Sequence, residues 1–159
     1  MTRLSHKFRT LFLAVPALAF VPCLAETFSG NININVVDTI SIVELQQVNF
    51  GVLLNQSGVC NMTATGDTSG TIISCSGNET EGLFNITGTT GSTISLTVSP
   101  GSANDITFAP SLPGGNSIVL TGTGASSSAQ VVVAGSITVG VAAVNGVTQI
   151  PYTLTADYN

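Results

Sequence analysis

Beyond residue 9 this chain has no lysine, arginine or histidine, because Arg3, His6, Lys7 and Arg9 are all the basic side chains it carries in 159 residues. Nucleic-acid affinity comes mainly from Lys and Arg neutralising phosphates, and attraction to anionic lipid needs clusters of the same residues, so neither partner is expected. The absence of His and Lys also removes the commonest general bases and nucleophile activators. What remains is carboxylate chemistry from Glu26, Asp38, Glu44, Asp67, Glu79, Glu81, Asp105 and Asp157, scattered along the chain. No catalytic residue, cofactor site or metal site is expected from such a set. Tryptophan is absent and only two tyrosines occur, which leaves few platforms for stacking carbohydrate.

The basic residues have a purpose where they stand. Arg3, Lys7 and Arg9 precede an apolar run over residues 11–20, interrupted by Pro16, and Cys23-Leu24-Ala25 follows with the small residues that a signal peptidase reads. This is the pattern of a secretory signal over residues 1–25, with cleavage after Ala25. A membrane anchor fits less well, since a spanning helix needs about 20 apolar residues. Lipidation at Cys23 is a minor alternative, because Pro22 stands where a lipoprotein peptidase expects a small residue. Residues 26–159 then form the exported chain, of a size for one domain with a real core. It is expected to reach the cell surface without inserting into a membrane.

Cys60 and Cys75 remain in that chain, with 14 residues between them. In an oxidising compartment the default for such a pair is a disulfide, worth about 3 kcal/mol by loop entropy. A redox or metal pair would want a C-x-x-C spacing or a His partner, and neither is present. Asp67 in Gly-Asp-Thr-Ser-Gly lacks the further carboxylates of a calcium loop and reads as a solvated turn.

No window of ten or more residues holds an apolar repeat at helical spacing, whereas period-two alternation is frequent, so the chain reads as all β. Phe84 and Ile86 alternate with polar neighbours, as do Ile94, Leu96 and Val98. Val131 with Val133, then Ile137, Val139 and Val141, and last Ile150, Tyr152, Leu154, Ala156 and Tyr158 line single faces in the same way. Turn-rich stretches over 99–104, 109–117 and 121–128 separate these runs, and Asn145-Gly146 is a two-residue hairpin signal. Strands at this spacing predict a sandwich or barrel.

Residues 27–38 alternate as cleanly as any stretch: Phe28, Gly30, Ile32, Ile34 and Val36 on one face, Ser29, Asn31, Asn33 and Asn35 on the other. The pattern alone is equally that of an ordinary first strand. The segment begins at the expected new N-terminus, however, and a second strand-like run over residues 40–45 follows before any strong turn.

Four motifs then occur in order: Val48-Asn49-Phe50-Gly51, Phe84-Asn85-Ile86-Thr87-Gly88, the Gly135-containing run over 132–139, and the Tyr-ended stretch 152–159 with penultimate Tyr158. In this order and spacing they resemble the chaperone/usher pilin superfamily. Within it, the nearest likeness is a secreted bacterial domain family of unknown function. The resemblance implies an immunoglobulin-like β-sandwich over residues 38–159 that lacks its last strand. It implies a donor strand over residues 26–37 that fills the gap in a neighbouring copy, with Phe28, Ile32, Ile34 and Val36 in the groove and Gly30 inside the same face. It implies further that Tyr152, Leu154, Ala156 and Tyr158 form one wall of the groove and pair first with a periplasmic chaperone, and that Cys60 and Cys75 tie early strands together. The partners would be further copies in a homopolymer, the chaperone and an outer-membrane usher. The alternative is a self-contained secreted binding module, an adhesin domain or coat component, whose first strand pairs within its own chain.

The same absence of cations makes a prediction about the exported protein. Trypsin has no site beyond Arg9, so prolonged digestion of the denatured protein should leave one species whose intact mass begins at Glu26. A mass that retains residues ahead of Glu26 contradicts the assigned cleavage.

Overall fold

The computed structural model describes residues 32–72, 75–146 and 148–159. Among them are twelve β-strands: β1 (Ser41–Gln46), β2 (Val52–Leu53), β3 (Gly58–Met62), β4 (Thr68–Gly70), β5 (Cys75–Ser76), β6 (Gly82–Thr89), β7 (Thr93–Ser99), β8 (Gly101–Ala103), β9 (Ile106–Ser111), β10 (Ser117–Val119), β11 (Ser126–Val139) and β12 (Thr153–Tyr158). The chain divides into a unit of Met1–Ile34 and a compact unit of Asn35–Asn159, which contains the twelve strands named here.

All pairings are antiparallel. A seven-stranded sheet runs β1-β6-β11-β3-β4, with β9 joined to β11 and β8 to β9, and a three-stranded sheet runs β10-β7-β12. A two-stranded ribbon pairs β2 with β5. The architecture is that of a β-sandwich, with one core formed by the inward rows of both sheets.

The rows follow from the alternation. In β6 the residues alternate between buried and half-buried along the whole strand, so Phe84 and Ile86 enter the core while Asn85 and Thr87 do not. From the small sheet Ile94 and Leu96 meet them, and Val131 and Val133 of β11 continue the same row. Ile86, Ile94 and Val133 are fully sealed from solvent. Each such side chain contributes roughly 1.5–3 kcal/mol of burial.

Strand β11 is a single element of 14 residues, where two separate alternating runs were expected. Its first half pairs with β6 as far as Val133↔Gly82, and its second half pairs with β9 from Ala134 and with β3 from Gly135. Gly135 is the switch: its φ is +144°, and a Cβ there would lie 2.3 Å from the Ala109 carbonyl oxygen and 2.8 Å from Pro110 Cα. Only glycine accepts that backbone and that approach together.

Val141 does not extend the row. It lies beyond the strand in a turn and is 92% exposed. Asn145-Gly146 makes no hairpin either. Strands β11 and β12 belong to different sheets, and the connection between them crosses from one to the other, so the two-residue turn has no pair of strands to join.

Cys60 of β3 and Cys75 of β5 form a disulfide with Cα atoms 5.9 Å apart, buried among Met62 and Ile72. The turn that follows is held by Glu79, whose carboxylate accepts from Gly77 N at 2.5 Å and from Thr68 Oγ1 at 3.3 Å. Backbone hydrogen bonding at Glu79 itself and at Gly77 keeps that carboxyl below its ordinary range. Asp67 accepts from Thr65 Oγ1 at 2.7 Å in the β3–β4 turn.

Gly135→Ala should lower stability by at least about 1–3 kcal/mol, the usual cost of a left-handed non-glycine residue, before the backbone clash is added. The urea midpoint measures it. A midpoint unchanged from wild type contradicts the assigned role of Gly135 as the point where β11 changes partners.

Candidate functional site

The two strands that end their sheets on one side of the sandwich define the site. Among the described residues β1 pairs only with β6 and β12 only with β7, so within them each carries one row of backbone N–H and C=O groups without a ladder partner. They lie on the same side. At one end Tyr158 of β12 reaches the residues leading into β1, and at the other Glu44 of β1 and Tyr152 line one cleft.

The inward rows of these strands are only partly covered. Ile42 stands opposite Ile86 and Glu44 opposite Phe84, so both belong to the core-facing row of the large sheet. Leu154, Ala156 and Tyr158 stand opposite Val98, Leu96 and Ile94, in the core-facing row of the small sheet. Yet Ile42 is 38% exposed where its partner Ile86 is at 0%. Leu154, Ala156 and Tyr158 are half-buried where Leu96 and Ile94 are closed. One strand's width separates a sealed core from an open rim.

A hydrogen-bonded clamp closes one end of this rim. The Tyr158 hydroxyl accepts from Thr89 N at 2.8 Å and donates to the Asp38 carbonyl oxygen at 2.7 Å. Asp38 N donates to Thr89 Oγ1 at 2.7 Å, and Ser126 Oγ donates to Asp38 Oδ2 at 2.5 Å. Gly88 makes room for the phenol, since a Cβ there would lie 2.6 Å from the Tyr158 hydroxyl. Asp38 is thereby the point at which the chain is fastened before it enters β1.

The other end opens into a cleft of about 650 Å³ lined by Phe50, Phe108, Ile137, Ile150, Tyr152 and Glu44, among others. Three aromatic rings line it edge to face, Phe50 to Phe108 at 5.7 Å and Phe108 to Tyr152 at 5.3 Å between centroids, and Tyr152 in turn meets Phe84 behind them at 6.5 Å. Asn49-Phe50-Gly51 seats the first ring. Asn49 Oδ1 accepts from Gly51 N at 2.9 Å, Asn49 Nδ2 donates to the Asn78 carbonyl at 3.1 Å, and Gly51 takes a φ of +67° close against Gly77. The Tyr152 hydroxyl is buried without a hydrogen-bond partner among the described residues. Burial, and secondly the negative charge of Glu44, push its ionisation up to about 12.

Of the side chains singled out in the sequence, the structure brings Leu154, Ala156 and Tyr158 to one strand edge and joins Cys60 to Cys75 by a disulfide between β3 and β5. Tyr152 precedes β12 rather than belonging to it. Phe28 and Gly30 lie outside the described residues. Residues 32–40 carry no strand, and Ile32, Ile34 and Val36 are 87%, 81% and 84% exposed. Period-two alternation had not singled out Ile42, Glu44, Asp38 or Thr89. A signal for Glu44 does exist, since it breaks an otherwise apolar row of Ile40 and Ile42. Among the described residues no group of three or more His, Cys, Asp or Glu side chains is arranged to hold a metal.

Tyr158→Phe should keep the ring and lose the two hydrogen bonds that its hydroxyl makes in the clamp, leaving Thr89 N and the Asp38 carbonyl unpaired, at a cost of about 1–3 kcal/mol. Equilibrium denaturation measures the loss, and faster amide exchange at Thr89 locates it. Unchanged stability and exchange contradict the clamp.

No family model, no curated protein and no solved structure matches this chain.

Proposed function

We propose that this chain is a structural subunit of an extracellular fibre of the pilus type, in which residues 26–37 of one copy are laid as a strand into the open rim between β1 and β12 of the next. The observation that carries this reading is the pair of unpaired edges, one on each sheet, above inward rows left half-covered at Ile42, Leu154, Ala156 and Tyr158. An added strand supplies both missing terms at once: ladder hydrogen bonds to the edges and apolar side chains for the rows.

The segment offered has the matching pattern. Phe28, Ile32, Ile34 and Val36 would face inward and the asparagines outward, and in the described part of the segment Ile32, Ile34 and Val36 are exposed and in no strand. Four such side chains give roughly 6–12 kcal/mol of gross burial. Ordering a dozen residues costs on the order of 1–2 kcal/mol each for the backbone, so the strength of the joint rests on slow strand withdrawal more than on equilibrium affinity. The sandwich is on this reading an immunoglobulin-like fold one strand short. The export route, with a periplasmic chaperone holding the rim and an outer-membrane usher releasing it, belongs to the same proposal, as does the absence of enzymatic activity.

The test is deletion and complementation. A chain beginning at Asp38 should form no fibres and should lose stability, and an added peptide of residues 26–37 should restore the stability without restoring polymerisation. A truncated chain that is a stable monomer indifferent to the peptide overturns the proposal and favours a self-contained binding module.

A further inference from the structure

The rim carries one charged group in its inward row. Glu44 stands opposite Phe84, two positions from Ile42, and lines the cleft together with Tyr152. The elements packed around it bring no cation: β6 presents Phe84, the stretch entering β12 presents the Tyr152 phenol, and the segment after β1 presents Gln47, Val48 and Asn49. Among the described residues Glu44 and Tyr152 are the only titratable groups in the cleft lining.

The remaining acids near the rim are occupied or turned away. Asp38 sits at the opposite end with its carboxylate bonded by Ser126 Oγ, and Tyr158 beside it is bonded to the Asp38 carbonyl. Asp157 stands opposite Ser95, in the outward row of β12. Since no lysine, arginine or histidine occurs after residue 9, a second copy of the exported chain has no cationic side chain to set against Glu44.

In the open rim Glu44 is exposed to water. A strand spanning the six residues of β1 covers the row in which it lies. A carboxylate stripped of water with no counter-charge is strongly disfavoured, and the usual outcome is that the group takes up a proton. The neutral acid can then stay in the filled groove.

Building on the donor-strand reading above, we infer that strand capture is coupled to proton uptake by Glu44, so that subunits join more tightly in acid than at neutral pH. The sign follows from the direction of the effect. The charged form is disfavoured only in the filled groove, so the filled groove holds its proton to higher pH than the open one. Binding is therefore unhindered below the ordinary carboxyl range and weakens as pH rises above it, until the filled groove too has lost its proton.

The experiment uses the full chain with Ile32→Asn and Ile34→Asn, which disable its own strand as a donor and add no titratable group. The probe is a labelled peptide of residues 27–37 with both ends blocked, which contains no titratable group and no terminal ammonium. Its affinity is measured by fluorescence anisotropy from about pH 4, near the ordinary carboxyl range, to about pH 8. With Glu44 present, affinity should fall with rising pH by up to about tenfold per unit over part of that span. With Glu44→Gln, it should be flat and tighter at neutral pH. Binding with the same pH profile in both chains overturns the proton coupling and leaves the donor-strand reading standing. No binding by either chain at any pH overturns both.

Discussion

An unpaired β-strand edge above a half-covered apolar row is the constraint on which the rest of this molecule turns. In a closed sandwich the outermost strands are short, charged or covered, because free N–H and C=O groups beside apolar side chains invite pairing with another chain. Here the last strand of each sheet leaves its edge open on the same side, and Ile42, Leu154 and Ala156 sit one strand's width from residues wholly out of water. The compact unit has a closed interior of its own, in which Ile86, Ile94, Leu120 and Val133 are sealed from solvent. What it lacks is local to the rim.

Several otherwise separate features serve to keep that rim open and in place. The Tyr158 clamp fastens the chain at Asp38, so the residues ahead of it leave the sandwich at a defined point. At the far end edge-to-face contacts link Phe50, Phe108, Tyr152 and Phe84, the first three of them lining the cleft. The change of partners by β11 at Gly135 lets one long strand brace β6 in its first half and β3 with β9 in its second. Because no lysine, arginine or histidine occurs after residue 9, no side chain there can offset the charge of Glu44 in the cleft.

Much of the sandwich was legible because its two faces differ. Phe84 and Ile86, Ile94 and Leu96, Leu154 and Ala156 alternate with polar neighbours that face water, and period-two reading finds such strands. The disulfide was legible from two cysteines, Cys60 and Cys75, that lack the C-x-x-C spacing or His partner of a redox or metal pair. The reading failed where glycine and asparagine stand for something other than a turn between paired strands. Gly135 reads as punctuation but lies inside a continuous strand, and Asn145-Gly146 reads as a hairpin but lies in a crossing between sheets, which local pattern cannot reveal. Strand β8 and the end of β9 were hidden for the same reason, in stretches read as loops. Of the candidate site, the β12 wall was visible, and β1 was visible as a strand-like run over 40–45, but which of its faces turns inward was not. Val43 and Leu45 on its outer face blur the alternation of Ile42 and Glu44, so its row emerges only from the pairing with β6.

The central claim concerns what occupies the rim in the assembled protein, and a cryo-electron microscopy map of the native material observes that directly. The account predicts filaments in which density for residues 28–36 of one copy runs as a strand between β1 and β12 of its neighbour. A native particle in which those residues pair with β1 or β12 of their own chain, or in which the rim stays empty in a lone monomer, would contradict it.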